Sequence, residues 1–158
     1  MVKIFDRKLK QETIKHYVGQ SFLAAFVLYL GLNLPLLGEE IVLVAAAGST
    51  AFIVFAMPDS KAANPRRVIG SHSISGVIGL AFHTTYPTIL PFELAVSLAL
   101  GVAILAMVSL WLEHPPAGGT VLFFVLNPQP VALVSLLLLV SIMAILSYVA
   151  RPYLYNLL

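Results

Sequence analysis

Few side chains in this sequence can do chemistry, and those that can stand at conspicuous places. His72 follows Ser71 and precedes Ser73 and Ser75 in a glycine-containing apolar run. His114 stands before two prolines, and two short stretches, Gly48-Ser49-Thr50 and Gly118-Gly119-Thr120, put small residues and hydroxyls inside otherwise apolar sequence. Imidazoles hold or exchange protons near neutral pH. Hydroxyls donate and accept hydrogen bonds, and glycine lets a ligand approach the backbone. Gly48, Ser49, Thr50, His72, His114, Gly118, Gly119 and Thr120 are therefore the candidate substrate-binding or pore residues. Asn64, Arg66, Arg67 and Glu113 form a second, charged group suited to a vestibule or gate.

Bond-making chemistry is poorly served by the same inventory. The four histidines, His16, His72, His83 and His114, have no metal-ligand spacing, so no metal site is expected. There is no nucleophile elbow, phosphate-binding loop or dinucleotide fingerprint, so no enzyme and no cofactor are expected. The chain has no cysteine, which removes disulfides and thiolate ligands. Its nine lysines and arginines face a membrane surface in the reading below, and nucleic acid is not an expected partner.

The elements that must position these residues follow from composition. Of 158 residues, 59% are hydrophobic and only 10% charged, with a mean hydropathy of +0.96. Soluble domains carry about 25% charge. The surplus apolar surface is matched to lipid, so the reading is an all-α, polytopic membrane helix bundle. The charged opening stretch does not resemble a cleaved signal. Residues 1–16 are expected to be a cytoplasmic segment, either an interfacial helix or a solvated tail.

Six apolar runs follow, at 17–37, 41–58, 68–87, 90–112, 117–126 and 131–150. A helical span needs roughly 20 residues. The fourth run is the plainest span. The fifth is too short, which suggests a half-helix preceded by extended chain. The second has a weak centre at Gly48-Ser49-Thr50, suited either to a helix break or to close helix contact. In the third run, positions 72, 75, 76 and 79 share one small, polar helical face, expected to look into protein. Pro35 and Gly38-Glu39-Glu40 mark a turn after the first run. The expected domain is 17–151, followed by a short tail at 152–158.

The charges test this division. Lys3, Arg7, Lys8, Lys10 and Lys15 precede the first run, Lys61, Arg66 and Arg67 follow the second, and Arg151 follows the sixth. With six crossings all nine lie on one side. The positive-inside tendency then places both termini in the cytoplasm of a cell inner (plasma) membrane.

Gly48–Pro58 and Gly118–Pro128 also align without a gap, pairing Gly48 with Gly118, Thr50 with Thr120 and Pro58 with Pro128. The match divides the chain into halves of about 17–87 and 88–151. Three crossings per half would invert the second, giving a 3+3 inverted repeat with broken or short second and fifth segments. Two half-helix ends facing each other would present free backbone N–H groups and positive dipole ends, a site for an anion. The plainer reading of the same residues is tight helix contact.

Glu113-His114-Pro115-Pro116-Ala117-Gly118-Gly119-Thr120 resembles the signature of the HPP family of integral membrane proteins. Asn64-Pro65-Arg66-Arg67-Val68-Ile69-Gly70-Ser71-His72 resembles its second motif, and Gly48-Ser49-Thr50 with Pro58 and Asp59 its small-residue segment. The resemblance spans roughly 18–150. It implies a transmembrane domain, usually described with four helices, and in some plastid and cyanobacterial members an association with nitrite transport. Other members are fused to CBS-type regulatory domains, which this sequence does not contain. Where the family more often has Ala-Thr, this chain has Gly119-Thr120, which keeps the hydroxyl.

The expected function is thus a channel or transporter for a small monovalent anion, nitrite being the one the resemblance implies. The expected partners are that inorganic anion, the lipid bilayer and further copies of the chain in a homo-oligomer. The alternative is a non-transporting scaffold or sensor subunit that uses its glycine-rich faces for helix association.

Overall fold

A computed structural model describes residues 11–33, 41–86 and 88–157. The expectations for residues 1–10, and for the turn at Pro35 and Gly38-Glu39-Glu40, lie outside the described residues. The described residues form an all-α bundle: α1 (Gln11–Leu32), α2 (Ile41–Ala56), α3 (Pro65–Thr85), α4 (Phe92–Ser109), α5 (Ala117–Leu126) and α6 (Pro130–Ala150). Short 3-10 turns at Lys61–Ala63 and Arg151–Tyr153 complete it.

Prolines and polar caps set most boundaries. Asn64 caps α3, its side-chain oxygen accepting from the Arg66 amide, and Pro65 takes the first helical position, where a missing N–H costs nothing. Pro130 opens α6 in the same way. α1 begins six residues before the first apolar run, because the largely polar stretch Gln11–His16 continues its helix. α2 runs unbroken through Gly48-Ser49-Thr50. The weak centre of the second segment is therefore a continuous helix, and its amides are bonded within the helix rather than free for a ligand. That segment is short, at 16 residues, and the fifth is shorter still, at 10.

Phe92–Ser109 and Pro130–Tyr153 are long and apolar enough to cross a membrane, while α2 and α5 are shorter apolar helices. The outward faces fit lipid: Phe22 and Phe26 on α1, Leu98 and Leu105 on α4, and Leu138 and Ile145 on α6 are exposed. Inside, Leu43, Phe55, Phe123, Phe124, Leu136, Leu139 and Met143 form the main core. α3 and α5 pack most closely. At Gly79 an added Cβ would lie 2.6 Å from the Val121 carbonyl oxygen and 2.7 Å from Phe124 Cβ. The small polar face of α3 does look inward, with Ser71, His72, Ser75, Gly76 and Gly79 all buried.

The two halves share a pattern. Helix lengths run long, short, long twice. α1 packs on α2 as α4 does on α5, and α2 on α6 as α5 does on α3, whereas among the described residues the packing of α3 on α4 has no counterpart of like extent between α6 and α1.

One end of the bundle gathers the α2–α3 connection, the α4–α5 connection and residues 151–157. Arg151 pairs with Asp59 at 3.1 Å, and Arg67 pairs with Glu113. The Leu157 amide donates to the Ala56 carbonyl at 2.9 Å, and Tyr17 Oη donates to the Leu157 carbonyl at 3.2 Å. Gln20 of α1 is buried there. Its amide nitrogen donates to the Phe55 carbonyl at 2.6 Å and the Tyr155 carbonyl at 2.8 Å, and its oxygen accepts from the Tyr155 amide at 2.8 Å. Residues 154–157 are thereby strapped across α1 and α2.

Candidate functional site

Four of the singled-out side chains meet in the interior. Thr50 comes from α2, His72 from α3, Thr120 from the first turn of α5, and His114 from the connection leading into α5. All are buried, none more than 1% exposed. His72 Nδ1 lies 2.7 Å from Thr120 Oγ1, and its Nε2 lies 3.0 Å from Thr50 Oγ1. Thr50 Oγ1 also lies 3.0 Å from His114 Nε2 and 2.9 Å from the Ala46 carbonyl of its own helix. His114 Nδ1 lies 2.8 Å from the Ala62 carbonyl. The two imidazole rings stand edge to face, with centroids 5.3 Å apart.

His114 is delivered here by the way α4 ends. The Leu112 amide reaches back to the Met107 carbonyl and the Trp111 amide to the Val108 carbonyl, with Trp111 at φ 58°. This is the left-handed helix stop usually made with glycine, and tryptophan there costs roughly 1–2 kcal/mol. Leu112 is held against Gly70, where a Cβ would come within 2.9 Å of its side chain. The chain thus turns inward beside α3. Pro115 restricts His114 to non-helical geometry.

The tautomers follow from the partners. A carbonyl only accepts, so the neutral His114 ring carries its proton on Nδ1 and accepts at Nε2. Thr50 must then donate to His114, His72 must donate to Thr50 from Nε2, and Thr120 must donate to His72 Nδ1. These four links run in one direction, from α5 to the Ala62 carbonyl, and leave the Thr50–Ala46 contact without a proton.

The other candidates lie elsewhere. Gly48 faces Leu28 of α1, and Ser49 donates to carbonyls of its own helix from an exposed position. Gly118 faces Leu100 of α4. Gly119 lies against α2, where an added Cβ would be 3.3 Å from Ala46 Cβ, so it permits close approach of α2 and α5. The first amides of α5 are not free either. Those of Ala117, Gly118 and Gly119 donate to the His114, Pro115 and Pro116 carbonyls at 3.0 Å each. Opposed bare helix ends are therefore not what these segments present, and the polar atoms that meet here belong to side chains.

Asn64 serves as the α3 cap, Arg66 is exposed, and Arg67 is tied to Glu113. Glu113 and His114 also line a cavity of about 260 Å3 with Leu100, Ile104, Met107, Val108, Pro115 and Gly118. Among the described residues, no group of three or more histidine or acidic side chains is placed to hold a metal. Ser75, one turn along α3 from His72, has a buried hydroxyl without a hydrogen-bond partner among the described residues. His83 is held by the Val125 carbonyl at 2.8 Å, away from the cluster.

Sequence reasoning missed the Ala62 and Ala46 carbonyls, which have no side-chain signature. It also missed Gln20, although an amide side chain near the start of the first apolar run was a visible signal.

The sequence matches the family described as "HPP, transmembrane region" over residues 8–157. Among curated proteins it is similar to two transmembrane proteins of Dictyostelium discoideum. One is 32% identical over 118 residues, covering 71% of this chain and 41% of the relative. The other is 30% identical over 118 residues, covering 71% and 38%. The chain thus spans about two fifths of the length of these relatives. No solved structure matches it. With its signature histidine inside the cluster and the family match running over nearly its whole length, this multi-pass membrane chain belongs to the HPP transmembrane family.

Proposed function

We propose that the protein moves a small monovalent anion across the membrane, with nitrite as the leading substrate and Thr50, His72, His114 and Thr120 as the polar site on the route. The observation that carries this reading is the position of His114. It belongs to the buried cluster and also lines the cavity it shares with Glu113. The cluster brings hydroxyl and imidazole N–H groups to depth without a buried lysine or arginine; they donate to one another and to Ala62 in this structure, so holding an anion requires them to turn from these partners. Thr50 is six residues from the end of α2, which places the cluster roughly 10 Å below the Arg67–Glu113 end. Arg66 and Lys61 at that end attract anions toward it. The orphan hydroxyl of Ser75 carries polarity onward along α3.

The long-short-long helix pattern and the exchanged packing partners support an inverted 3+3 repeat, with Thr50 and Thr120 as its equivalent residues. The gathering of described basic residues at the Arg67–Glu113 end supports placing that end in the cytoplasm. Small-residue faces and thin walls favour a homo-oligomer. The substrate role is tested with the full chain in liposomes and a panel of nitrite, nitrate, formate and chloride. Flux of at least one anion, reduced in Thr50→Val and Thr120→Val, is expected. No flux for any of the four refutes the reading.

A second reading, a non-transporting scaffold, is favoured by one observation. α2 is continuous, and the cluster's four side-chain protons are all donated within it or to the Ala62 carbonyl, none being turned toward a ligand. Absence of flux together with a stable oligomer would select it.

A further inference from the structure

The cluster has more hydrogen-bond positions than protons. Five contacts meet at its four side chains: His114 with Ala62, His114 with Thr50, Thr50 with Ala46, Thr50 with His72, and His72 with Thr120. Each contact needs one proton. The neutral side chains supply four, one from each of His114, Thr50, His72 and Thr120. The deficit falls on Thr50, whose single hydroxyl proton has two acceptors within reach, His114 Nε2 and the Ala46 carbonyl.

We propose that this cluster is a proton-binding site, taking one proton at His114 Nε2 while Thr50 turns its hydroxyl proton onto the Ala46 carbonyl. The added proton forms an N–H bond on the free lone pair of His114, and no bond in the protein breaks. His114 then donates from both nitrogens, to Ala62 and Thr50, while Thr50 accepts from both rings and donates to Ala46. Five protons fill five contacts with no heavy atom displaced.

A buried charge is costly unless it is paired and hydrogen-bonded. The proton completes the hydrogen bonds, and Glu113, the neighbouring residue, is among those that line the cavity that His114 also lines. Glu113 is paired with Arg67, and Asp59 with Arg151. Lys61 adjoins Ala62, and His72 is the other titratable member. α2 and α5 contribute no titratable side chain, and those of α4 and α6 are Glu93, at the opposite end, and the exposed Tyr148. The proton site stands on the geometry alone. Its use as a coupling ion rests on the transport reading above.

The test is nitrogen NMR of the full chain in lipid with 15N-labelled histidine, titrated from about pH 8 to about pH 4, a range spanning the histidine window. His114→Gln assigns the signal. At the high end, His114 is expected as the Nδ1–H tautomer and His72 as the Nε2–H tautomer. On acidification His114 is expected to become doubly protonated before His72. Thr50→Ser, which keeps the hydroxyl, is expected to titrate like the parent. Thr50→Val, which offers no oxygen to the new N–H, is expected to bind the proton about tenfold less tightly. A His114 that stays neutral throughout in the folded protein overturns the proposal, as does a folded Thr50→Val that titrates like the parent. If Thr50→Val does not fold, equal titration of His72 and His114 in Thr50→Ser overturns it instead. Proton uptake without anion flux in liposomes would refute the transport reading and leave the proton site standing.

Discussion

The hydroxyls of Thr50 and Thr120 sit on opposite nitrogens of one imidazole, that of His72, at 3.0 and 2.7 Å. Two helices from different halves of the chain are thereby held to a third by a single ring. Removing either hydroxyl leaves a buried nitrogen unsatisfied.

Thr120→Val is expected to lower stability by about 1–3 kcal/mol, the cost of an orphaned buried polar atom. Thermal unfolding in detergent measures it. Thr120→Ser is expected to recover most of the loss, since the hydroxyl can still donate to His72 Nδ1. In liposomes Thr120→Val is expected to cut anion flux about tenfold, equivalent to roughly 1.4 kcal/mol of barrier.

Gly79→Ala and Gly101→Ala are expected to part company. At Gly79 the new Cβ meets a backbone oxygen at 2.6 Å, which cannot move aside without parting α3 from α5. A loss of about 1–3 kcal/mol or more is expected. At Gly101 nothing lies within 4 Å, so alanine is expected to be neutral or to gain up to about 1 kcal/mol through helix propensity. Melting temperatures of the two variants, compared side by side, decide it.

Arg67 and Glu113 are partly exposed, at 19% and 38%, so their pairing is expected to be modest. A double-mutant cycle with Arg67→Gln and Glu113→Gln is expected to give a coupling of about 1 kcal/mol or less. A coupling of several kcal/mol would mean that the pair is shielded from water.

Gln20→Leu is expected to release residues 154–157 and leave the cluster in place. Hydrogen exchange at the Tyr155 and Leu157 amides should quicken markedly, with little change in α3 and α5. Unchanged protection at Tyr155 would show that the Leu157–Ala56 and Tyr17–Leu157 bonds suffice.

Much of this was legible in the residues before any coordinates. α5 falls on 117–126 as its prolines dictate, and α6 on 130–150. Hydropathy did not locate the start of α1, because a helix that continues past the apolar run is invisible to it. Nor did small residues at 48–50 break α2, since helix packing outweighs a local propensity. The types of the four cluster residues were readable, but their arrangement was not. A ring nitrogen's partner is a tertiary fact, and the Ala62 and Ala46 carbonyls belong to residues with nothing to mark them. The expectation of bare helix ends failed because the carbonyls of His114, Pro115 and Pro116 already take the first amides of α5.

The Gln20 strap also sets a schedule. Gln20 and Tyr155 are 135 positions apart, and Tyr17 and Leu157 are 140 apart. At about 5–20 residues per second, the ribosome takes roughly 7–28 seconds to make the intervening chain. For that interval the buried amide of the first helix has at most the Phe55 carbonyl, 35 positions away, and water, lipid headgroups or the insertion machinery must stand in for Tyr155. Completing the bundle is then a late event in time, governed by the arrival of four residues, however early its first helix enters the bilayer.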